Sequence, residues 1–246
     1  MQDSTSRGQR PRPDHAFTAP EIEAVYRAIH SRRDMRHFRP DPVDADTLAR
    51  LLTAAHRAPS VGYMQPWRFI RIADHALRER LHALVERERV ATADALGERG
   101  AEFMRLKVEG IRDAGEVLVV SLMPDREQYV FGRRTLPEMD LASVACGIQN
   151  LWLAARAEGL GMGWVSLFDP DALRELLGIP EGGHPVAILC LGHVEAFYDA
   201  PMLEQEGWDT RRELAGLVYQ DRWHAPCPVT GDPATDTGPG HDADHT

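Results

Sequence analysis

The stretch from Glu138 to Glu158 is a long, largely apolar helical pattern that stops at Gly159. Such a helix must be covered over most of its circumference, so its neighbours are constrained before any other element is read. Two other runs are continuous rather than alternating in their apolar character, Val117 to Val120 and Pro185 to Gly192. Strands of that kind are covered on both faces. The long helix offers more apolar surface than a small sheet needs, which points to a dimer interface.

The remaining elements fill in around these three. Thr18-Ala-Pro-Glu21 is a capping box, and Ile22, Val25, Tyr26 and Ile29 then form a helical stripe. A second helix is expected from Asp44, with Leu48, Leu51, Leu52 and Ala55 on one face, ending before Pro59. Trp67 to Ile72 reads as a strand, Asp74 to Leu96 as a charged amphipathic helix, and Ala101 to Arg112 as another helix. Gly163 to Phe168 reads as a strand. Asp169-Pro170 opens a short helix that Gly178 ends. Helices that lead, with strands dispersed among later helices, make an α+β chain around one sheet. The expected organisation is one domain over residues 18–226, between a polar tail at 1–17 and an acidic Gly/Pro-rich tail at 227–246.

Composition removes several classes of function. Lys and Arg number 28 against 38 Asp and Glu, a net charge of −10 that argues against a general nucleic-acid binder. No apolar run approaches the roughly 20 residues of a membrane span. The first residues lack the apolar core of a secretory signal, so a cytoplasmic location is expected. Cys146, Cys190 and Cys227 have no metal-ligand spacing and suggest neither a disulfide framework nor a zinc site. There is no GxSxG, HExxH or P-loop motif.

Three segments remain that can carry chemistry. Arg32-Arg33-Asp34-Met35-Arg36 puts three guanidiniums within five residues, and these repel one another unless an anion sits among them. The run reads either as a phosphate site or as a solvated helix end that complements the macrodipole. Pro59-Ser60-Val61-Gly62-Tyr63-Met64-Gln65-Pro66-Trp67 combines a proline-defined path with hydrogen-bonding Ser60 and Gln65 and flat aromatic surface. It suits a planar heterocycle with polar edges, or is an ordinary helix-to-strand loop with an anchoring Trp. Gly159-Leu-Gly-Met-Gly-Trp164-Val165-Ser166-Leu167 has the glycines of a dinucleotide fingerprint in the wrong place. It lies between a helix and the next strand, whereas the Rossmann motif lies between a strand and the next helix. Its glycines serve either a close backbone approach to a ligand or a helix-stop turn.

In this order and at these separations, the three segments resemble the FMN-dependent nitroreductase fold over about residues 20–224. The stretches RRDMRHF, AAHRAPSVGYMQPWRFI, RLKVEGIRDA and GLGMGWVSLFDP are more similar still to one branch of it, the flavin-destroying 5,6-dimethylbenzimidazole synthases. The resemblance implies a central, mostly antiparallel sheet flanked by helices, in an intertwined homodimer with FMN at the subunit interface. It implies a reaction in which reduced FMN and molecular oxygen give 5,6-dimethylbenzimidazole, the lower ligand of cobalamin, and erythrose 4-phosphate. No metal is implied. NAD(P)H enters as an indirect electron source at most, and a separate flavin reductase is a possible partner.

The resemblance also assigns roles. Arg32, Arg33, Asp34, Met35 and Arg36 bind FMN at its phosphate and pyrimidine side. Pro59, Ser60 and Gln65 reach it from the other subunit, Trp164, Val165, Ser166 and Leu167 line the ring, and Arg211 or Arg212 adds a cation. Asp34 stands where ordinary relatives have Ser or Thr, and Ser166 where many have an acidic residue. A carboxylate beside a phosphate cluster is electrostatically unfavourable, so Asp34 is read as the catalytic base and Ser166 as the group that orients oxygen. The alternatives are an Asp34 that only pairs with Arg33 or Arg36 and a Ser166 satisfied by backbone. Two other functions stay open on the residues: a conventional NAD(P)H-dependent FMN reductase of nitro compounds, quinones or flavin, and a non-catalytic flavin-binding protein. The segment 86–112, with Lys107 and Glu109, is a candidate lid.

Overall fold

A computed structural model describes residues 15–225 and 227. The tails expected at 1–17 and 227–246 therefore lie almost wholly outside the described residues. The chain divides into two compact units, one ending at Asp199 and the other beginning at Ala200.

The first unit is built on four antiparallel strands, β1 (Trp67–Arg71), β2 (Glu116–Leu122), β3 (Gly161–Val165) and β4 (His184–Gly192), in the order β1-β2-β4-β3. Both faces are covered, as the continuous apolar runs require. Leu118 and Val120 of β2, with Leu189 and Leu191 of β4, point to one face. There they meet α2 (Ala45–His56) and α5 (Met139–Ala157) through Leu51, Ala55, Ile148 and Leu151. Val117, Val119, Ile188 and Cys190 point to the other face. They meet α3 (His75–Ala95) and α6 (Pro170–Leu177) through Leu81, Val85 and Leu173. Each such side chain contributes about 1.5–3 kcal/mol on burial, against about 1 kcal/mol for a helix cap, so the two-faced sheet dominates the stability.

The caps act where the sequence places them. Asp44, Asp74 and Asp169 accept from Thr47, Ala76 and Ala172 backbone N–H groups, each at 2.8 Å. At the head of α1 (Ala19–Ser31) the Thr18 N–H donates to Glu21 Oε2 at 2.8 Å. The apolar stripe of α1, however, is left largely uncovered in this unit. Val25, Tyr26 and Ile29 are exposed, and no residue of the helix is buried.

Two expected elements differ. The helix expected over Ala101–Arg112 is only α4 (Gly100–Phe103), after which the chain runs irregularly to β2. Phe103, Leu106 and Ile111 are all buried at helix-compatible spacings, yet only the first of them lies in a helix. A Cβ on Gly110 would also lie 2.5 Å from the Phe38 ring, so the chain here hugs the segment after Arg36. The third strand begins two residues earlier than expected, at Gly161, and ends at Val165.

In the second unit α7 (Met202–Gln205) and a 3-10 turn at Leu214–Gly216 precede a small aromatic cluster, with Tyr219 and Trp223 at 5.0 Å between ring centroids. Arg211 and Arg212 belong to this unit and are exposed. No helix among the described residues is long and apolar enough to cross a membrane.

Candidate active site

The site is assembled on the free edge of β3. The Met35 N–H donates to the Met162 carbonyl at 2.9 Å, and residues 34 and 162 form an isolated parallel bridge. One step on, the strand's next outward donor finds a side chain. The Trp164 N–H donates to Asp34 Oδ1 at 3.0 Å, so the carboxylate replaces the carbonyl of a fifth strand. An unpaired edge donor is costly when enclosed, and here it fixes the orientation of an acid.

Arg36 closes the arrangement. Its Nη2 donates to Asp34 Oδ2 at 2.6 Å and to the Trp164 carbonyl at 2.8 Å. The residue is 8% exposed, and its Nη1 is buried without a partner among the described residues. The Asp34 side chain keeps 43% of its surface, so one side is open although both oxygens are engaged. Desolvation within the fold raises its pKa above the usual carboxylate value. Arg36, the Trp164 N–H and Arg32 pull the other way without cancelling it.

Glycines make this proximity possible. A Cβ on Gly163 would stand 2.2 Å from the Met35 carbonyl oxygen and 2.7 Å from Arg36 Nη1, and one on Gly161 3.0 Å from the Met35 side chain. Gly159, at φ +80° with open space around it, is the helix stop. The segment thus serves both purposes read from it, except that the close approach is to the basic segment of the chain itself.

The other two arginines are held differently. Arg32 lies over the Trp152 ring, its Cζ 4.5 Å from the centroid. Arg33 donates to the carbonyls of His30, Arg32 and Asp199, each at 2.8 Å, and its Nε is buried without a partner among the described residues. Trp152 Nε1–H donates in turn to the Arg33 carbonyl at 3.2 Å. The Tyr198 hydroxyl accepts from the Arg36 N–H at 3.2 Å and lies 2.7 Å from His37 Nδ1. Neither Trp152 nor Tyr198 was visible as a site residue from sequence. Trp152 sits in an apolar helix 119 positions from its hydrogen-bond partner, with no local signal to mark it.

Val165 is buried, Leu167 half-buried, and Ser166 exposed just past the end of β3. The Ser166 hydroxyl has no hydrogen-bond partner among the described residues.

The loop Pro59–Gln65 stands elsewhere. Ser143 Oγ of α5 accepts from the Val61 N–H at 3.0 Å, and Ser60 Oγ accepts from the Gln65 N–H at 3.0 Å. Tyr63 and Gln65 have φ of 55° and 50°, left-handed values that cost a side-chain-bearing residue about 1–3 kcal/mol each. The loop borders a cavity of about 420 Å³ whose lining includes Tyr63, Gln65, Trp67 and Arg68. Its anchor on α5, Ser143, is nine residues from Trp152, about 14 Å along the helix axis. No described contact within the subunit joins this loop to the arginine segment.

Comparison with known proteins agrees with this geometry. The nitroreductase family model matches residues 29–193, and the chain belongs to that family. Within it, the chain belongs with the 5,6-dimethylbenzimidazole synthases. It is 45% identical to the protein of that name from Rhodospirillum rubrum over 183 residues, 74% of this chain and 87% of the relative. It is 41% identical to one from Rhodobacter capsulatus over 194 residues, 78% and 94% of the two chains. Among solved structures, iodotyrosine deiodinase bound to FMN and 3-iodo-L-tyrosine shares the fold at TM-score 0.59 and 22% identity, over 71% of this chain and 91% of that one.

Proposed function

We propose that the protein is a 5,6-dimethylbenzimidazole synthase, converting reduced FMN and molecular oxygen to 5,6-dimethylbenzimidazole and erythrose 4-phosphate. The observation that carries this reading is Asp34, a carboxylate with a raised pKa locked between Arg36 and the edge of β3. An enzyme that only passes hydride through FMN has no use for a base beside the phosphate cluster.

The residues fit the flavin. Buried guanidinium nitrogens without partners among the described residues, Arg33 Nε and Arg36 Nη1, call for an acceptor. Arg32 and Arg33 hold the phosphate. Arg36 offers its free donor to the pyrimidine side, where reduced flavin carries negative charge. Met35, Trp164, Val165 and Leu167 bound the ring. Reduced FMN supplies the electrons that activate oxygen, and its own ring and ribityl carbons become the products.

Asp34 accepts the protons released as carbon–carbon and carbon–nitrogen bonds break. The Trp164 N–H keeps Oδ1 oriented, Arg36 stabilises the carboxylate, and desolvation makes it a stronger base than an ordinary carboxylate. Ser166, with an uncommitted hydroxyl, orients oxygen at the ring. Closure around the ring excludes water, with the segment 86–112 as the lid.

The site is completed by a second copy. The loop carrying Pro59, Ser60 and Gln65 is anchored far from the arginines of its own subunit, and its left-handed residues mark it as shaped for a ligand. The exposed stripe of α1 supplies apolar surface for such a homodimer. The protein acts in the cytoplasm, with a separate reductase or NAD(P)H feeding electrons to FMN upstream of the reaction.

The test is stoichiometry without any pyridine nucleotide. Chemically reduced FMN admitted to air in the presence of the protein is expected to yield one 5,6-dimethylbenzimidazole per flavin lost. Flavin recovered intact and oxidised contradicts the reading and leaves a reductase or a carrier.

A further inference from the structure

The geometry points to Trp152 as a positioning residue that sets the protein's preference for a phosphorylated flavin over an unphosphorylated one. It rests on the reading that Arg32 and Arg33 hold the phosphate.

Arginine at a chain surface samples many rotamers, and a phosphate must select one of them at an entropic cost. Here that selection is made before any ligand arrives. The Arg32 guanidinium lies over the Trp152 indole, with Cζ 4.5 Å from the ring centroid. Trp is the best of the aromatic faces for such a cation, and a cation held on a ring face is restricted in its rotamers. The same indole donates its N–H to the Arg33 carbonyl at 3.2 Å, fixing the backbone immediately after Arg33. One side chain therefore sets the first cation by its face and the second by its edge.

Trp152 is itself rigid. It is 8% exposed, belongs to the core on the α5 side of the sheet, and lies 6.5 Å from the Trp164 ring between centroids. The Trp164 backbone holds Asp34 and Arg36. The core thus reaches the arginine pair through one indole and the acid–arginine pair through its neighbour.

The experiment measures dissociation constants of oxidised FMN and of riboflavin, which differ only in the phosphate, by flavin fluorescence. A cation–π stack of this kind corresponds to about fivefold in affinity. Trp152→Leu is expected to weaken FMN about fivefold and leave riboflavin unchanged. Trp152→Phe keeps an aromatic face but no N–H, and is expected to lose about half of that effect on the logarithmic scale. An equal loss for both ligands, or no loss for either, overturns the inference and leaves Trp152 as core packing alone. If Trp152→Leu does not fold, Trp152→Phe decides: an unchanged FMN-to-riboflavin ratio overturns the inference. Arg32→Gln separates the two levels of the account. A ratio that collapses in Arg32→Gln but not in the Trp152 variants refutes only the inference. A ratio untouched in Arg32→Gln refutes the phosphate assignment beneath it.

Discussion

The Trp164 backbone N–H donates to Asp34 Oδ1 at 3.0 Å, so an acidic side chain occupies the place of a strand carbonyl at the edge of the sheet. The carboxylate is thereby oriented by the fold itself, while burial disfavours its charge more than Arg36 offsets it. An acid whose pKa is raised on folding stabilises the folded state below its unfolded value, near 3.8, and loses that contribution as pH rises through the folded value. Asn keeps the Oδ1 acceptor but sets an amide N–H2 where Oδ2 accepted from Arg36, so the charge is read from the pH dependence and not from the absolute stability. The stability of the parent relative to Asp34→Asn is expected to be greatest near pH 3.8 and to fall as pH rises above it. Melting curves of both proteins over this range check it, and a parent that gains stability over the variant as pH rises contradicts the raised pKa.

Ser166 is exposed and bonded to nothing among the described residues, so its removal touches function without touching the fold. Ser166→Ala is expected to change stability by less than about 0.5 kcal/mol. It is expected to slow product formation about a hundredfold, the scale of losing one donor at a reacting oxygen, with FMN affinity unchanged. Titration of flavin fluorescence alongside product analysis separates the two effects. Weakened binding would make Ser166 a ligand contact instead.

Two glycines of one segment should behave differently. In Gly163→Ala the new methyl meets the Met35 carbonyl at 2.2 Å, so the basic segment must shift, at about 1–3 kcal/mol and with loss of FMN affinity. In Gly159→Ala nothing is struck, and the φ of +80° alone costs about 1–2 kcal/mol. FMN affinity is then unchanged. Urea unfolding with flavin titration on both variants measures the contrast, and equal flavin loss in both would deny that residues 35 and 36 are set by contact with β3.

The stripe of α1 gives a direct handle on assembly. Ile29 is 44% exposed in a helix with no buried residue, so Ile29→Glu does not disturb the core of its own subunit. It is expected to yield a folded monomer by sedimentation velocity and circular dichroism. FMN binding should fall at least about tenfold, because the loop of Ser60 and Gln65 is then missing from the site. A variant that remains dimeric and binds FMN places the interface elsewhere.

Much of this organisation was legible because its causes are local. The capping Asp residues, the stop at Gly159 and the two continuous strands follow from rules that operate within a few positions. The stretch 101–112 failed because Leu106 and Ile111 are buried by contacts with distant parts of the chain, which override helical periodicity. The start of β3 was hidden by glycines, which have no side chain to alternate, although Met162 between them is fully buried. The basic run was recognisable as a cluster of charge, but its division of labour was not. Arg32 stacks on Trp152, Arg33 reaches the Asp199 carbonyl and Arg36 the Trp164 carbonyl, all more than a hundred positions away, whereas the Arg36–Asp34 pair spans only two.

The most direct test of the central claim follows the flavin itself in the parent protein and in Asp34→Asn. Both are loaded anaerobically with FMN, reduced chemically and opened to air, and the small molecules are separated by chromatography. The account predicts 5,6-dimethylbenzimidazole with matching loss of flavin in the parent, and oxidised FMN returned intact by Asp34→Asn although it binds the flavin. Dimethylbenzimidazole formed equally well by the variant would remove Asp34 as the base, and flavin returned intact by the parent would contradict the function as a whole.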